Sequence, residues 1–151
     1  MAVKISYYEE LEQLQSLSEK DMITEENYLK IAWKGLEYFK KNKKELPDKK
    51  RITSSKLRSM YSKLCDIILN KTDLEDENLN NSELADLKLL RIRIVYNMGR
   101  DEAVKLFMKE THLFAFLKYV EDNPSRKNFD LFCKYFEALV AFHRYLNPKE
   151  N

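Results

Sequence analysis

Apolar positions recur along this chain with the three-to-four-residue spacing of helices that are buried on one side. Ser6 followed by Glu9 reads as a capping box that opens an acidic helix carrying Leu11, Leu14 and Leu17. Thr24 caps a second helix in which Tyr28, Ile31, Ala32, Gly35 and Phe39 recur, before Pro47 and a run of lysines mark a loop. A third helix follows Thr53 or Ser54, with Leu57, Met60, Tyr61, Leu64, Ile67 and Ile68 on its apolar face and Lys56, Ser59 and Lys63 on its wet one. After the acidic connector TDLEDENLNN, Ser82 opens the most regular helix, which Gly99 ends as a C-cap. Three more helices are expected near 102–109, near 112–121 and after Ser125, the last of them rich in phenylalanine.

Composition narrows the fold further. The 151 residues contain 2 glycines and 3 prolines, far below the roughly 12% combined share of average proteins. Tight β-turns and glycine-rich nucleotide loops therefore have almost nothing to build from. The chain reads as all-α, a compact single-domain bundle of five to seven helices. Residues 22–146 are expected to form the bundle, 1–21 an N-terminal helical extension and 147–151 a tail.

Charge changes the picture more than its total of +2 suggests. Residues 1–37 carry 4 basic and 8 acidic side chains, residues 38–71 carry 11 and 3, residues 72–86 carry none and 6, and residues 87–151 carry 12 and 8. A basic block of that density attracts polyanions, nucleic acid above all, although a solvated lysine-rich loop has the same composition. Cys65 and Cys133 lack any CxxC or ligand spacing, so neither a disulfide framework nor a zinc site is expected. No apolar run reaches the length of a signal peptide or membrane span, and a cytoplasmic protein with reduced thiols is the simplest expectation.

Two constellations could meet phosphate. With Arg93 set at 0°, Asp86, Asn97 and Arg100 fall within about 40° of it, forming a polar stripe. Leu87, Leu90, Ile94 and Met98 lie on one side of this stripe and Ala85, Leu89, Ile92 and Tyr96 on the other, so the helix is expected to be packed on two sides. Arg93 and Arg100 lie about 10 Å apart along that face, suited to a sugar–phosphate chain. Arg91 falls on an apolar arc, where a salt bridge to an acid such as Glu137 is the alternative to an outward role. The second constellation is KKRITSSKLRS. A helix N-terminus with hydroxyls at Thr53, Ser54 and Ser55 is surrounded there by Lys49, Lys50, Arg51, Lys56 and Arg58. Plain N-capping with solvated lysines explains the same residues.

No catalytic set emerges. His112 and His143 lie in no metal or nucleophile pattern, and Asp73, Glu75, Asp76 and Glu77 read as solvated connector charge. Neither a cofactor nor a small-molecule substrate is expected.

The stretches Thr53-Ser54-Ser55-Lys56-Leu57-Arg58, Leu90 to Arg100 (LRIRIVYNMGR) and Phe132 to His143 (FCKYFEALVAFH) together resemble the small subunit of type III-A CRISPR interference complexes. They are similar, in order and spacing, to that family's TTSxLR, LRxRLxYxxGR and FxxYxEALVAYxx stretches over roughly residues 22–146. The first 20 residues, the longer acidic connector and Phe142 in place of a common Tyr depart from the family pattern. The resemblance implies a non-catalytic helical subunit of the Csm complex. Copies of it would stack in an inner filament, beside other Csm subunits, and hold target RNA on the guide RNA. Carried over by position, Arg58, Arg91, Arg93 and Arg100 would contact RNA or support the RNA-facing surface. The residues themselves leave two alternatives open. One is a helix-turn-helix DNA-binding regulator that uses ITSSKLRSMYSKL as recognition helix. The other is a helical protein–protein adaptor with no nucleic-acid role.

Overall fold

The computed structural model describes residues 6–41, 45–69 and 77–148. They form seven α-helices with no strand among the described residues: α1 (Tyr7–Gln15), α2 (Tyr28–Lys41), α3 (Ser54–Leu69), α4 (Asn81–Arg100), α5 (Glu102–Thr111), α6 (Leu113–Asp122) and α7 (Arg126–Leu146). Short 3₁₀ turns at Glu19–Asp21 and Asp48–Lys50 complete the set. The expected all-α bundle is therefore the observed one. Most of the acidic connector, including Asp73, Glu75 and Asp76, lies outside the described residues.

The helix starts follow local hydrogen-bond chemistry. Ser6 Oγ accepts from the Glu9 amide at 3.2 Å, half of the expected capping box. Thr53 Oγ1 accepts from the Lys56 amide at 3.1 Å, and Ser125 Oγ from the Asn128 amide at 3.1 Å. Three expectations are corrected. Thr24 does not cap α2; it opens a turn whose carbonyl takes the amides of Asn27 and Tyr28, and the helix starts at Tyr28. The cap of α4 is Asn80, not Ser82. Asn80 Oδ1 accepts from the Glu83 amide at 2.8 Å while the Glu83 carboxylate accepts from the Asn80 amide at 3.1 Å, a complete capping box. Gly99 is an ordinary helical residue in the last turn of α4. Asp101 ends α4, and its carboxylate caps α5 through the Ala103 amide.

α6 is the centre of the molecule. Leu113, Phe114, Ala115, Phe116, Leu117 and Val120 are all buried, because α1, α4, α5 and α7 pack around it. Phe116, Phe132 and Phe136 interlock edge to face, with ring centroids 5.9 and 6.1 Å apart. Gly35 admits a close approach of α2 to α5: a Cβ there would sit 3.3 Å from the Glu110 carbonyl oxygen. The joint between α5 and α6 turns through His112 in the left-handed region (φ 58°). Thr111 secures it, its carbonyl accepting from the buried Tyr135 hydroxyl at 2.6 Å.

Two buried ion pairs tie the bundle together. Arg126 at the start of α7 grips the Glu83 carboxylate with both terminal nitrogens, and its amide donates to the Glu77 carbonyl at 2.7 Å. Arg91 donates through Nε to Glu121 at 2.5 Å and through Nη1 to Gln15 at 3.2 Å, joining α4 to α6 and α1. Tyr61, between α3 and α7, has its phenol pushed up to about 12, first by burial and then by the nearby Glu137 carboxylate.

Candidate nucleic-acid interface

α4 is buried on one side only. Leu87, Leu90, Ile94 and Met98 enter the core, but Leu89, Ile92 and Tyr96 are 45%, 59% and 64% exposed. The expected packing on two sides is thus corrected. α3, α5 and α6 take the first face, and none of the described helices packs on the second. Between the two faces lie Arg93 and Arg100, exposed and without a carboxylate partner among the described residues. The Arg100 guanidinium rests 5.8 Å from the centroid of the exposed Tyr96 ring, so an aromatic surface stands beside the basic strip.

The strip has a facing wall. α3 packs on α4, and a cleft of about 140 Å³ between them is lined by Lys63, Asp66 and Ile67 from α3 and by Asp86, Leu89, Leu90 and Arg93 from α4. Lys56 stands two turns before Lys63, on the same side of α3. Lys63 was the residue missed as a site candidate; its seven-residue spacing from Lys56 is the sequence signal for it.

The remaining candidates separate. Arg58 is exposed but about 200° round α3 from Lys56, so it serves a different surface. Lys49 and Arg51 belong to the 3₁₀ turn and its end, and Arg51 pairs with Asp48. Arg91 points inward, to Glu121 rather than the anticipated Glu137. Ser54 is also turned inward. It is 4% exposed, and its Oγ lies 3.2 Å from His143 Nδ1.

His143 explains how the Lys49–Arg58 segment is held. Its ring is buried on α7, Nε2 donates to the Ile52 carbonyl at 3.1 Å, and Nδ1 meets the Ser54 hydroxyl. One imidazole thus holds the Ile52 carbonyl on one side of Thr53 and the Ser54 side chain on the other, and leaves Thr53, Ser55 and Arg58 outward. His143→Ala is expected to loosen this entry into α3, losing about 1–3 kcal/mol of stability. Faster amide exchange at Ser54–Leu57, with exchange in α6 unchanged, is the measurement that checks it. His112 lines a separate cleft of about 560 Å³ with Lys50, Lys105 and Lys109, where Glu10 neutralises Lys105.

Among the described residues no group of three His, Cys, Asp or Glu side chains could hold a metal ion, and no helix is long and apolar enough to cross a membrane. The fold and surface define a small helical protein with an open groove between two helices, lined by Lys63 and Arg93 together with Asp66 and Asp86, and an exposed apolar helix face beside it.

Comparison with known proteins adds the family. Residues 34–149 match the family described as Csm2 Type III-A. A "CRISPR system Cms protein Csm2" from Mycobacterium tuberculosis (strain CDC 1551 / Oshkosh) is 33% identical over 108 residues, 70% of this chain and 86% of that protein. The protein of the same name from Streptococcus thermophilus is 30% identical over 131 residues, 85% of this chain and 98% of its own length. The chain belongs to the Csm2 type III-A family, the small subunit of the Csm complex.

Proposed function

We propose that this protein is a non-catalytic structural subunit of a type III-A CRISPR effector ribonucleoprotein, acting in the cytoplasm, and that its α3–α4 groove holds the backbone of the paired guide and target RNAs. Family membership supports assembly with other Csm subunits; in this reading further copies of the chain stack beside it as a filament. The observation that carries the RNA contact is the groove itself. Lys63 and Arg93 line it from opposite helices, beside Asp66 and Asp86, and Arg100 continues the strip beyond the groove with no carboxylate partner among the described residues. Such a row offers guanidinium and ammonium groups along one face and no device for reading base edges, which suits sequence-independent retention of a duplex. Lys56 extends the positive field towards the start of α3, Lys49, Arg51 and Arg58 add charge on the neighbouring surface outside the groove, and Ser54 and Arg91 act as supports behind the surface.

Arg93→Ala and Arg100→Ala are each expected to weaken target-RNA retention in the assembled complex equally for all sequences. Each should lower the slope of log K against log salt by about one counterion. Affinity measured across a salt series checks this. An unchanged slope in both variants would leave the adaptor reading, in which the charges only solubilise. A sequence-specific band with duplex DNA would favour the regulator, although α2 packs on α7 and α5 and not against α3 as a helix-turn-helix would require.

A further inference from the structure

The exposed face of α4 has more order than a chance scatter of apolar residues. Ala85, Leu89, Ile92, Tyr96 and Gly99 are separated by 4, 3, 4 and 3 residues, the strict heptad seam of a helix that pairs with another helix. All five are exposed in the single chain. Gly99 is exposed inside a helix with nothing within 4 Å of where its Cβ would be. A glycine there weakens the helix relative to alanine, and no contact among the described residues accounts for it.

We infer that in the RNA-free protein this seam is covered by α4 of a second copy, running antiparallel about a two-fold axis near Ile94. An isologous contact brings the same patch to itself in reverse, so it must be complementary end to end. From Leu89 to Gly99 the seam meets that condition in both size and charge, and Ala85 lies beyond the paired stretch. Leu89 is laid against Gly99 of the second copy, where the missing side chain makes room, and Ile92 is laid against its Tyr96. On the flank, Asp86 near one end comes opposite Arg100 near the other, twice by symmetry. A parallel arrangement would instead bring Lys88 of one copy towards Arg93 of the other, a meeting of like charges. The single like-charged meeting, Arg93 with Arg93 near the axis, is eased by Asp66, which lines each copy's own groove.

The seam runs about 21 Å from Ala85 to Gly99 and is too narrow for the roughly 1,200–2,000 Å² of a stable interface. The pairing is therefore a weak, concentration-dependent dimer. Because Arg100 takes part in it, the dimer and a groove loaded with RNA compete for that side chain. The pairing itself does not rest on the RNA reading.

The test is sedimentation of the purified, RNA-free full chain over a range of concentrations. The native protein should dimerise reversibly. Asp86→Arg and Arg100→Asp should each weaken the dimer by about tenfold, through two pairs turned repulsive. The variant carrying both changes should recover most of the native association, since each exchanged charge again meets its opposite. Ile92→Asp, on the exposed face, should give a monomer with native helicity by circular dichroism. A native protein that stays monomeric at all concentrations overturns the inference, as does a double variant no better than the singles. If the native chain is monomeric yet Ile92→Asp abolishes its incorporation into the effector complex, a different subunit covers the seam, and the inference is equally overturned. RNA retention enters none of these readouts, so failure here is separate from failure of the groove.

Discussion

Replacing Arg126 with alanine is expected to lower the unfolding free energy by about 3–5 kcal/mol. That would reduce the melting temperature by about 6–20 °C for a domain of this size. The side chains of Arg126 and Glu83 are both buried, and the guanidinium meets both carboxylate oxygens. Truncating the arginine would leave a carboxylate facing the interior with its charge uncompensated. The Glu83 carboxylate also closes the α4 capping box, so a disturbance there unravels the first turn of α4 as well. The start of α7 is held to the same place by the Arg126 amide on the Glu77 carbonyl and by the Leu79 amide on the Pro124 carbonyl at 3.0 Å. Urea unfolding followed by circular dichroism measures the loss. An Arg126→Leu, Glu83→Leu double variant should recover much of it, because a buried ion pair replaced by apolar groups of similar volume is often neutral. Recovery would show that the penalty comes from the orphaned charge and not from lost packing. A single variant within 1 kcal/mol of the native protein would contradict the whole account.

Arg91→Ala carries the second large effect, and it separates two roles that the sequence leaves joined. Glu121 has its side chain only 3% exposed, whereas that of Arg91 is 24% exposed. Loss of the arginine should cost about 2–3 kcal/mol, below the full penalty of a deeply buried pair because solvent reaches one partner. Gln15 also loses its bond to Nη1, so α1 should exchange its amides faster in the variant. Measured well below its melting temperature, Arg91→Ala should retain the native salt slope for RNA, unlike Arg93→Ala two residues on. A reduced slope with unchanged stability would move Arg91 from the interior to the interface. Glu121→Gln provides the complementary test: the carboxamide keeps an acceptor for Nε but removes the charge, and should cost less than Arg91→Ala.

The contrast between Arg91 and Arg93 shows where reading the chain stops. Periodicity placed the two about 200° apart on one helix and marked Arg91 as the residue on an apolar arc. It could not say which acid lay across from it. Glu121 on α6 and Glu137 on α7 are both compatible with a buried arginine, and the choice rests on α6 threading through the middle of the bundle. Ser54 is a similar case. A serine at a helix start reads as a donor to an outside phosphate, but the α3–α7 packing turns it onto His143. Lys63 was legible only as a wet residue of α3 until α4 was laid beside it. In α4, two apolar faces were visible in the sequence, and both exist. What was not visible is that the described helices cover only one of them.

The sequence alone determined the helices, their order and most of their starts, because capping hydrogen bonds and a 3.6-residue apolar repeat act within a few residues of each other along the chain. It also determined the family, through motifs whose spacing needs no coordinates. The tertiary structure decided which charges are neutralised inside the protein and which remain outside for a partner. That distinction turns on distances between residues 30 to 89 positions apart, as for Arg91 with Glu121 and Ser54 with His143. Burial and Coulomb attraction depend on separation in space, and only the packing of the helices sets it.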